Sequence, residues 1–200
     1  MPMDASEVSE TISNPEGGGD ERFRKAVAIY VGLLAMLLAI TSLGGENASK
    51  EMMSSNISAS NLWAFYQAKN IRQTSFRLAA DELEALLASR PDLAPGDRQS
   101  IEKRIEGYKQ TAARYESEPS TGEGKKELTV KAREQERRRD RAERQDFNFD
   151  ISIGLFQIAI VLASVSILAA SRLLFYVSGA LALAACALSL NGFFLLVPLG

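Results

Sequence analysis

The sequence contains no histidine and only one cysteine, Cys186. Without an imidazole or a second thiol, one chain cannot build a disulfide, a zinc site of cysteine and histidine ligands, or a catalytic Ser-His-Asp or Cys-His group. The formal net charge of −2 gives no reason to expect nucleic acid as a partner. These absences exclude most classes of enzyme, and we expect no catalytic residue, metal, cofactor or small-molecule substrate.

Charged residues are also missing from three long apolar segments. The first is residues 26–43, the second runs from about Phe149 to Ala170 with Asp150 at its edge, and the third is residues 173–199. At about 1.5 Å per residue the first segment would form a helix roughly 27 Å long, close to the thickness of the hydrocarbon core of a bilayer. The segments therefore predict three membrane crossings, the first of them an uncleaved anchor. Their charge-free interiors disfavour an ion or substrate pathway.

The predicted fold class is all-α, an integral membrane protein with three transmembrane helices and an extramembrane antiparallel helical hairpin between the first and second. The hairpin would be a coiled-coil-like stalk. The predicted parts are a disordered acidic tail over residues 1–21, a first transmembrane helix over 22–45, the stalk over 46–148, a second transmembrane helix over 149–171 and a third over 172–200. The tail carries six acids and three consecutive glycines, a composition that cannot bury a core.

Two turns that contain proline and glycine divide the stalk into three helical pieces. The turns lie at residues 90–96 and 118–124, so the pieces are expected over residues 47–89, after Asp97 as N-cap, and from Lys125 onward. The first piece matches the other two together in length, which favours one reversal of direction. The second piece has a coiled-coil seam at spacings of four and three, formed by Ile101, Ile105, Tyr108, Ala112 and Tyr115.

The most distinctive motif is NLWAFYQAK at residues 61–69, which places the only tryptophan beside two other aromatics. On a helix, Trp63 and Tyr66 share one face, and Phe65 and Lys69 share the neighbouring face. These four residues are a candidate contact surface for a partner or a lipid headgroup. The alternative is that they form the aromatic core at the base of the stalk, since aromatics at helical spacing usually pack.

The run of residues 131–144 mixes basic and acidic side chains. Its bases suggest a patch for anionic lipid, but its acids stand four residues from bases, as in the pairs Glu134–Arg138, Arg139–Glu143 and Asp140–Arg144. Pairs at this spacing attract each other weakly along a helix. We therefore interpret the run as a solvated helix held by local ion pairs.

The third apolar segment carries small residues at spacings that let helices approach closely. Gly179, Ala182 and Cys186 are candidate packing residues. Asn191 is the strongly polar side chain at depth and should find a hydrogen-bond partner across an interface. We interpret Cys186 as a small apolar residue of the packing rather than as a reactive thiol.

Three strings resemble the bacterial membrane family catalogued as domain of unknown function 4337. They are LWAFYQAKNIRQ at residues 62–73, LFQIAIVLAS at 155–164 and RLLFYVS at 172–178. The resemblance covers about Arg22 to the C-terminus, and it implies an inner-membrane protein of similar layout with three crossings. Because the family has no established activity, it transfers no catalytic residues. The acidic tail departs from the pattern of the family.

We expect a non-enzymatic inner-membrane interaction or scaffold protein whose stalk presents a helical surface to a partner. Its partners would be the lipid bilayer and either further copies of the chain or another membrane protein. One alternative is an accessory subunit of a membrane transport or envelope complex. Another is a hydrolase that uses carboxylates alone, which would need a cleft with a perturbed acid.

The basic residues beside the crossings favour one orientation. Arg22, Arg24 and Lys25 precede the first crossing, and Arg172 lies in the short loop between the second and third. Because short cytoplasmic segments are enriched in Lys and Arg, we expect the N-terminus in the bacterial cytoplasm and the stalk in the periplasm. The bases of residues 131–144 belong to a segment long enough to be translocated regardless of its charge.

Overall fold

A computed structural model describes the backbone of residues 16–197 and the side chains of residues 21–197. These residues contain no strand and form four helices: α1 over Glu16–Ser89, α2 over Pro95–Glu116, α3 over Lys125–Leu168 and α4 over Arg172–Phe194. The all-α prediction is confirmed for this part of the chain. It divides into two compact units, which we call the apolar unit, up to Lys50 and from Ala142 onward, and the polar unit, Glu51–Arg141.

Three of the helices are long and apolar enough to cross a membrane, as predicted. The apolar windows lie within α1, α3 and α4. Helix α1 begins at Glu16, which is inside the segment predicted to be a disordered tail. Residues 1–15 of that segment, and residues 198–200 of the predicted third crossing, lie outside the described part of the chain.

In the apolar unit, α1 and α4 run in the same direction and α3 runs in the opposite one. Contacts between α1 and α4 follow sequence order, because Tyr30 meets Ser178 and Thr41 meets Ser189. Contacts between α3 and α4 follow the reverse order. Ser152 of α3 donates a hydrogen bond to the carbonyl of Ala185, and Ala159, later in α3, accepts one from Ser178, which is earlier in α4. The beginnings of α1 and α4 therefore lie at the same end of this unit.

The core of the apolar unit combines two large side chains with small neighbours. Leu34 and Phe156 are buried in one cluster with Ala159, Ala182 and Ala185. Small residues allow helix backbones to come close, which is how helices associate where surrounding lipid is as apolar as the side chains themselves.

In the polar unit, α1 contacts α2 and α3 in the reverse order of sequence: residues near the end of α1 contact α2, and residues further back contact α3. In order along α1 from its end, the contacts are Glu84 with Lys109, Phe76 with Tyr115, Asn70 with Lys125 and Trp63 with Glu136. Both α2 and the start of α3 therefore run antiparallel to this part of α1.

The seam predicted on α2 faces the interior of the polar unit. Ile105 is 7% exposed and Ala112 is 4% exposed. The rings of Tyr108 and Tyr115 lie 5.6 Å and 5.9 Å from the ring of Phe76 on α1. The spacing of four and three thus identified the buried face of this helix correctly.

The start of α2 differs from the prediction. The helix begins at Pro95 with Ala94 at the N-cap, so Asp97 lies in the first turn instead of capping it. Proline suits the first position of a helix, because its φ is fixed near the helical value and its missing N–H would have no partner there. Asp97 still lies near the positive end of the helix dipole.

The second turn is closed by polar side chains. The carboxylate of Glu127 accepts hydrogen bonds from the Ser117 hydroxyl at 2.6 Å and from the Glu118 amide at 3.2 Å. Gly122 has a φ of 66°, a left-handed conformation that favours glycine. Its carbonyl accepts a hydrogen bond from Lys131 at 2.7 Å. These bonds satisfy the backbone where α2 ends and α3 begins at Lys125, the start that the sequence predicted.

Candidate functional site

The aromatic motif of α1 is partly buried against the other helices of the polar unit. The rings of Trp63 and Tyr66 form an edge-to-face pair with centroids 5.6 Å apart. The indole N–H of Trp63 donates a hydrogen bond to Glu136 on α3 at 2.8 Å. Because the N–H of a partly buried Trp usually finds a partner, this bond holds the ring against α3. The predicted shared face of Trp63 and Tyr66 is therefore present, and it is a packing face.

Lys69 is the most buried member of the motif, at 7% exposure. Its ammonium group lies 5.1 Å from the ring centroid of Phe65 and 5.4 Å from that of Tyr115, and it donates to Glu123 at 3.4 Å. Phe65 itself is 39% exposed. Of the four residues predicted as a contact surface, Phe65 is thus the one that faces outward, and the other three contact α2, α3 or the turn between them.

A buried polar cluster next to the motif joins α1, α2 and α3. Gln73 is 1% exposed and donates hydrogen bonds to the Ala112 carbonyl at 2.9 Å and to Glu116 at 3.0 Å. The ammonium group of Lys125 donates to Gln73 and to Asn70, both at 2.8 Å. The cluster could not be predicted from the sequence, because a polar residue at a buried helical position is indistinguishable in sequence from one at the surface.

Hydrogen bonds from neighbours lower the pKa of some carboxylates of the polar unit, Glu116 and Glu127 among them. The hydrogen bond from Gln73, followed by the charge of Lys125, lowers the pKa of Glu116. The Ser117 hydroxyl lowers the pKa of Glu127 in the same way. A carboxylate that serves as a general acid needs a pKa shifted upward, so these groups are suited to structural pairing rather than to acid catalysis.

Asp146, beside the second apolar segment, differs from these carboxylates. Burial, with a smaller contribution from Asp150, raises its pKa. The groove of the apolar unit, described below, is lined by apolar and aromatic residues and does not include it. Asp146 therefore has a raised pKa but does not line the groove. The alternative of a hydrolase that uses carboxylates alone, which needs a perturbed acid within a cleft, stays untested.

The mixed run of α3 forms local ion pairs. Glu134 pairs with Arg137 and, at 3.6 Å, with the predicted partner Arg138. Arg139 pairs with its neighbour Asp140 at 2.7 Å. The side chain of Arg137 is 70% exposed, so this is a solvated face whose pairs are individually weak.

The outer face of α1 in the polar unit carries an apolar stripe that the sequence analysis did not identify. Five apolar residues recur at a spacing of seven, and we call them the outer stripe: Ile57, Ala64, Ile71, Leu78 and Ala85. Ile57 is 55% exposed, Ile71 is 67% exposed and Leu78 is 57% exposed. Residues seven apart share one helix face, and the stripe occupies one of the two apolar positions of a heptad repeat, the other being polar here. The periodicity could have been found in the sequence.

The predicted packing residues of α4 lie on or beside the core. Ala182 is 6% exposed within the buried cluster, and Cys186 packs against that cluster. Asn191 is 6% exposed and donates a hydrogen bond to the side chain of Asn148 on α3 at 3.0 Å. Asn191 therefore has a hydrogen-bond partner on a neighbouring helix. Gly179 has no neighbouring atom within 4 Å of the position that a Cβ would occupy.

The closest helix contacts of the apolar unit surround Phe149. A Cβ at Gly44 of α1 would lie 2.8 Å from its ring, and a Cβ at Gly192 of α4 would lie 2.7 Å from it. The ring also packs edge to face on Phe193, with centroids 4.8 Å apart. Glycine is required at both positions because any side chain would displace the Phe149 ring.

A family model described as a domain of unknown function (DUF4337) matches residues 23–195 of the chain. The match covers all four helices apart from the first residues of α1. It confirms the family that the three strings indicated. No curated protein and no solved structure matches the chain.

Proposed function

The chain belongs to the family described as a domain of unknown function (DUF4337), and from that premise we propose that it is a non-enzymatic scaffold protein of the bacterial inner membrane. In this proposal the apolar unit spans the bilayer and the polar unit is an antiparallel helical stalk in the aqueous compartment. The outer stripe of α1 binds a second copy of the chain.

Membrane insertion is supported by the outward faces of the apolar unit. Ile29 is 75% exposed, Met36 is 63% exposed and Leu183 is 73% exposed. Large apolar side chains that face outward on helices of spanning length are what a lipid-facing surface requires. In water they would form an apolar patch that favours aggregation.

The orientation is supported by the direction of the helices. Because α1 and α4 run in the same direction, Arg22 and Arg24 at the start of α1 lie at the same end as Arg172 at the start of α4. The enrichment of bases in short cytoplasmic segments supports a cytoplasmic location for this end. The polar unit is then periplasmic.

The outer stripe is the observation that carries the proposal of self-association. Copies inserted in the same orientation have parallel α1 helices, so a stripe that repeats every seven residues meets itself in register. Arg77 and Glu82 flank the stripe and are both exposed. They are five residues apart, a spacing at which parallel coiled-coil helices pair opposite charges across the interface. Arg77 also contacts Glu116 at 3.8 Å, and its side chain remains 60% exposed.

Disulfide crosslinking in native membranes tests the parallel contact. A single cysteine is introduced at Ile71, on the stripe, or at Arg72, one residue away from it, in a Cys186→Ala background. Mild oxidation should crosslink most of the Ile71→Cys chains into dimers and few of the Arg72→Cys chains. Equal crosslinking at the two positions would indicate random collision between copies and would contradict a specific contact through the outer stripe.

A second variant separates loss of contact from loss of fold. Ile71→Asp combined with Leu78→Asp places charge on the stripe but not in the interior, so helix content should be unchanged. The oligomer in mild detergent should become a monomer. An unchanged oligomer contradicts the proposed surface, and copurification of a larger multi-helix membrane protein in place of a second copy supports the accessory-subunit alternative.

A further inference from the structure

A groove between α1 and α4 opens on the outer surface of the apolar unit. Its volume is about 540 Å³, within the range of roughly 300–1,000 Å³ that small-molecule sites have. Its walls are apolar and aromatic, and they include Tyr30, Leu33, Leu37, Tyr176, Gly179 and Leu183. Such walls fit a hydrocarbon chain and offer little to a polar solute.

Gly179 keeps the groove open. Nothing lies within 4 Å of the position of a Cβ at Gly179, whereas the glycines that surround Phe149 have no such space. The close packing of α4 resumes at Ala182, which is 6% exposed. The groove is therefore a space that the protein leaves unfilled on its lipid-facing side.

Arg172 stands one helical turn before Phe175 and Tyr176, the groove residues nearest the start of α4. It stands four residues before Tyr176 and seven before Gly179, so the three share one face of α4. Arg172 is exposed, and no carboxylate among residues 21–197 lies within ion-pair distance of it. The first turn of α4 contains no acid, so the positive end of the helix dipole adds to the charge of Arg172. Arg22, also exposed, lies at the same end of the unit.

We infer that the groove binds one acyl chain of an anionic phospholipid whose phosphate group lies at Arg172. The hydrocarbon chain would contact Leu33, Gly179 and Leu183, and Tyr176, which is 67% exposed, would lie at the headgroup boundary where aromatic side chains concentrate. A basic group beside an apolar groove between transmembrane helices is the arrangement that binds anionic lipid headgroups. The inference rests on the proposed membrane insertion and not on self-association.

Native mass spectrometry of the full chain in mild detergent tests the inference, with phosphatidylglycerol and phosphatidylcholine as probes. The chain should hold one phosphatidylglycerol in preference to phosphatidylcholine. Arg172→Gln should weaken phosphatidylglycerol binding about fivefold, to the level of phosphatidylcholine. Gly179→Leu should weaken the binding of both lipids about tenfold or more, because the leucine fills the groove.

Gly154→Leu on α3 is the matched control, because a Cβ there also meets nothing within 4 Å and Gly154 does not line the groove. It should leave lipid binding unchanged. Equal binding of both lipids, or binding that Gly179→Leu leaves unaltered, would overturn the inference and indicate lipid held only loosely around the protein. A dimer that Gly179→Leu converts to monomer would assign the groove to a second copy instead. The Ile71→Asp, Leu78→Asp variant should keep its lipid. Failure of the proposed self-association can therefore be distinguished from failure of the proposed lipid site.

Discussion

In the apolar unit, aromatic and other large side chains pack against glycine, alanine and serine, whereas in the polar unit buried amide and ammonium groups lie between the helices beside the aromatic rings. Where helices lie in lipid, as proposed for the apolar unit, no hydrophobic force brings them together, so close approach and hydroxyl-to-carbonyl bonds do so. Water supplies that force but must be displaced from every polar group that becomes buried. Among the described residues, every buried side-chain nitrogen and oxygen has a hydrogen-bond partner.

The difference teaches that each unit has its own weak point. The apolar unit has no room for an added methyl group around Phe149, and the polar unit cannot tolerate loss of a hydrogen-bond partner around Gln73. Added side-chain volume at a helix contact should therefore be most damaging in the apolar unit. Loss of a hydrogen-bond partner should be most damaging in the polar unit.

The largest effect is expected from Gly44→Leu in the apolar unit. Its Cβ would lie 2.8 Å from Phe149 and 3.0 Å from Phe193, so α1 must move away from α3 and α4. Overpacking of this kind costs about 1–3 kcal/mol or more. The free energy of unfolding in mixed detergent micelles, followed by circular dichroism, should fall by at least that amount.

Gly32→Leu is the control for that measurement, because a Cβ at Gly32 of the same helix meets nothing within 4 Å. It should leave the unfolding free energy within about 0.5 kcal/mol of the native value. Combining Gly44→Leu with Phe149→Ala should recover part of the loss. A Gly44→Leu chain as stable as the native protein would contradict the close contact at Phe149.

The next effect is expected from Lys125→Met in the polar unit. The side chain is 12% exposed, and its loss leaves Gln73 and Asn70 without their donor. An unsatisfied buried acceptor costs about 1–3 kcal/mol. Hydrogen exchange of the full chain should show faster opening of α2 and of the facing part of α1.

Lys126→Met, at the exposed neighbouring position, serves as its control and should leave exchange almost unchanged. The apolar unit should keep its protection in both variants. Equal acceleration by Lys125→Met and Lys126→Met would mean that general charge, and not the buried cluster, governs the stability of this unit.

The smallest effect is a pH dependence confined to the polar unit. The pKa of Glu116 is lowered in the folded chain by Gln73 and Lys125. A carboxylate whose pKa is lowered on folding stabilises the fold above its ordinary pKa, and this contribution is lost as the pH falls through the lowered value. Exchange protection of α2 should therefore weaken below about pH 4.5, the ordinary value for Glu.

Glu116→Gln should reduce this pH dependence, while Glu102→Gln, on the exposed side of the same helix, should leave it as it is. The effect should be smaller than that of Lys125→Met, since Glu116 is 38% exposed and water screens its interactions. Identical acid profiles in the native chain and in Glu116→Gln would contradict the role given to this carboxylate.

The three apolar helices, the two turns, the buried seam of α2 and the family could all be predicted from the amino-acid sequence. The energy of placing a charge in hydrocarbon depends on the residue and its depth, so the absence of charge from a long segment can be interpreted without knowing any neighbour. Turn chemistry and the seam of α2 are likewise local, since each depends on residues a few positions apart.

Only the tertiary structure decided which polar side chains are interior. Gln73 and its acceptor at Ala112 are 39 residues apart, and Tyr30 and Ser178 are 148 apart. Whether Lys69 faces water or the ring of Tyr115, and whether Gly44 is a spacer or the wall around Phe149, depends on atoms contributed by distant helices. Packing and desolvation are properties of such assembled neighbours, which is why three of the four residues that suggested an outward surface contact other helices instead.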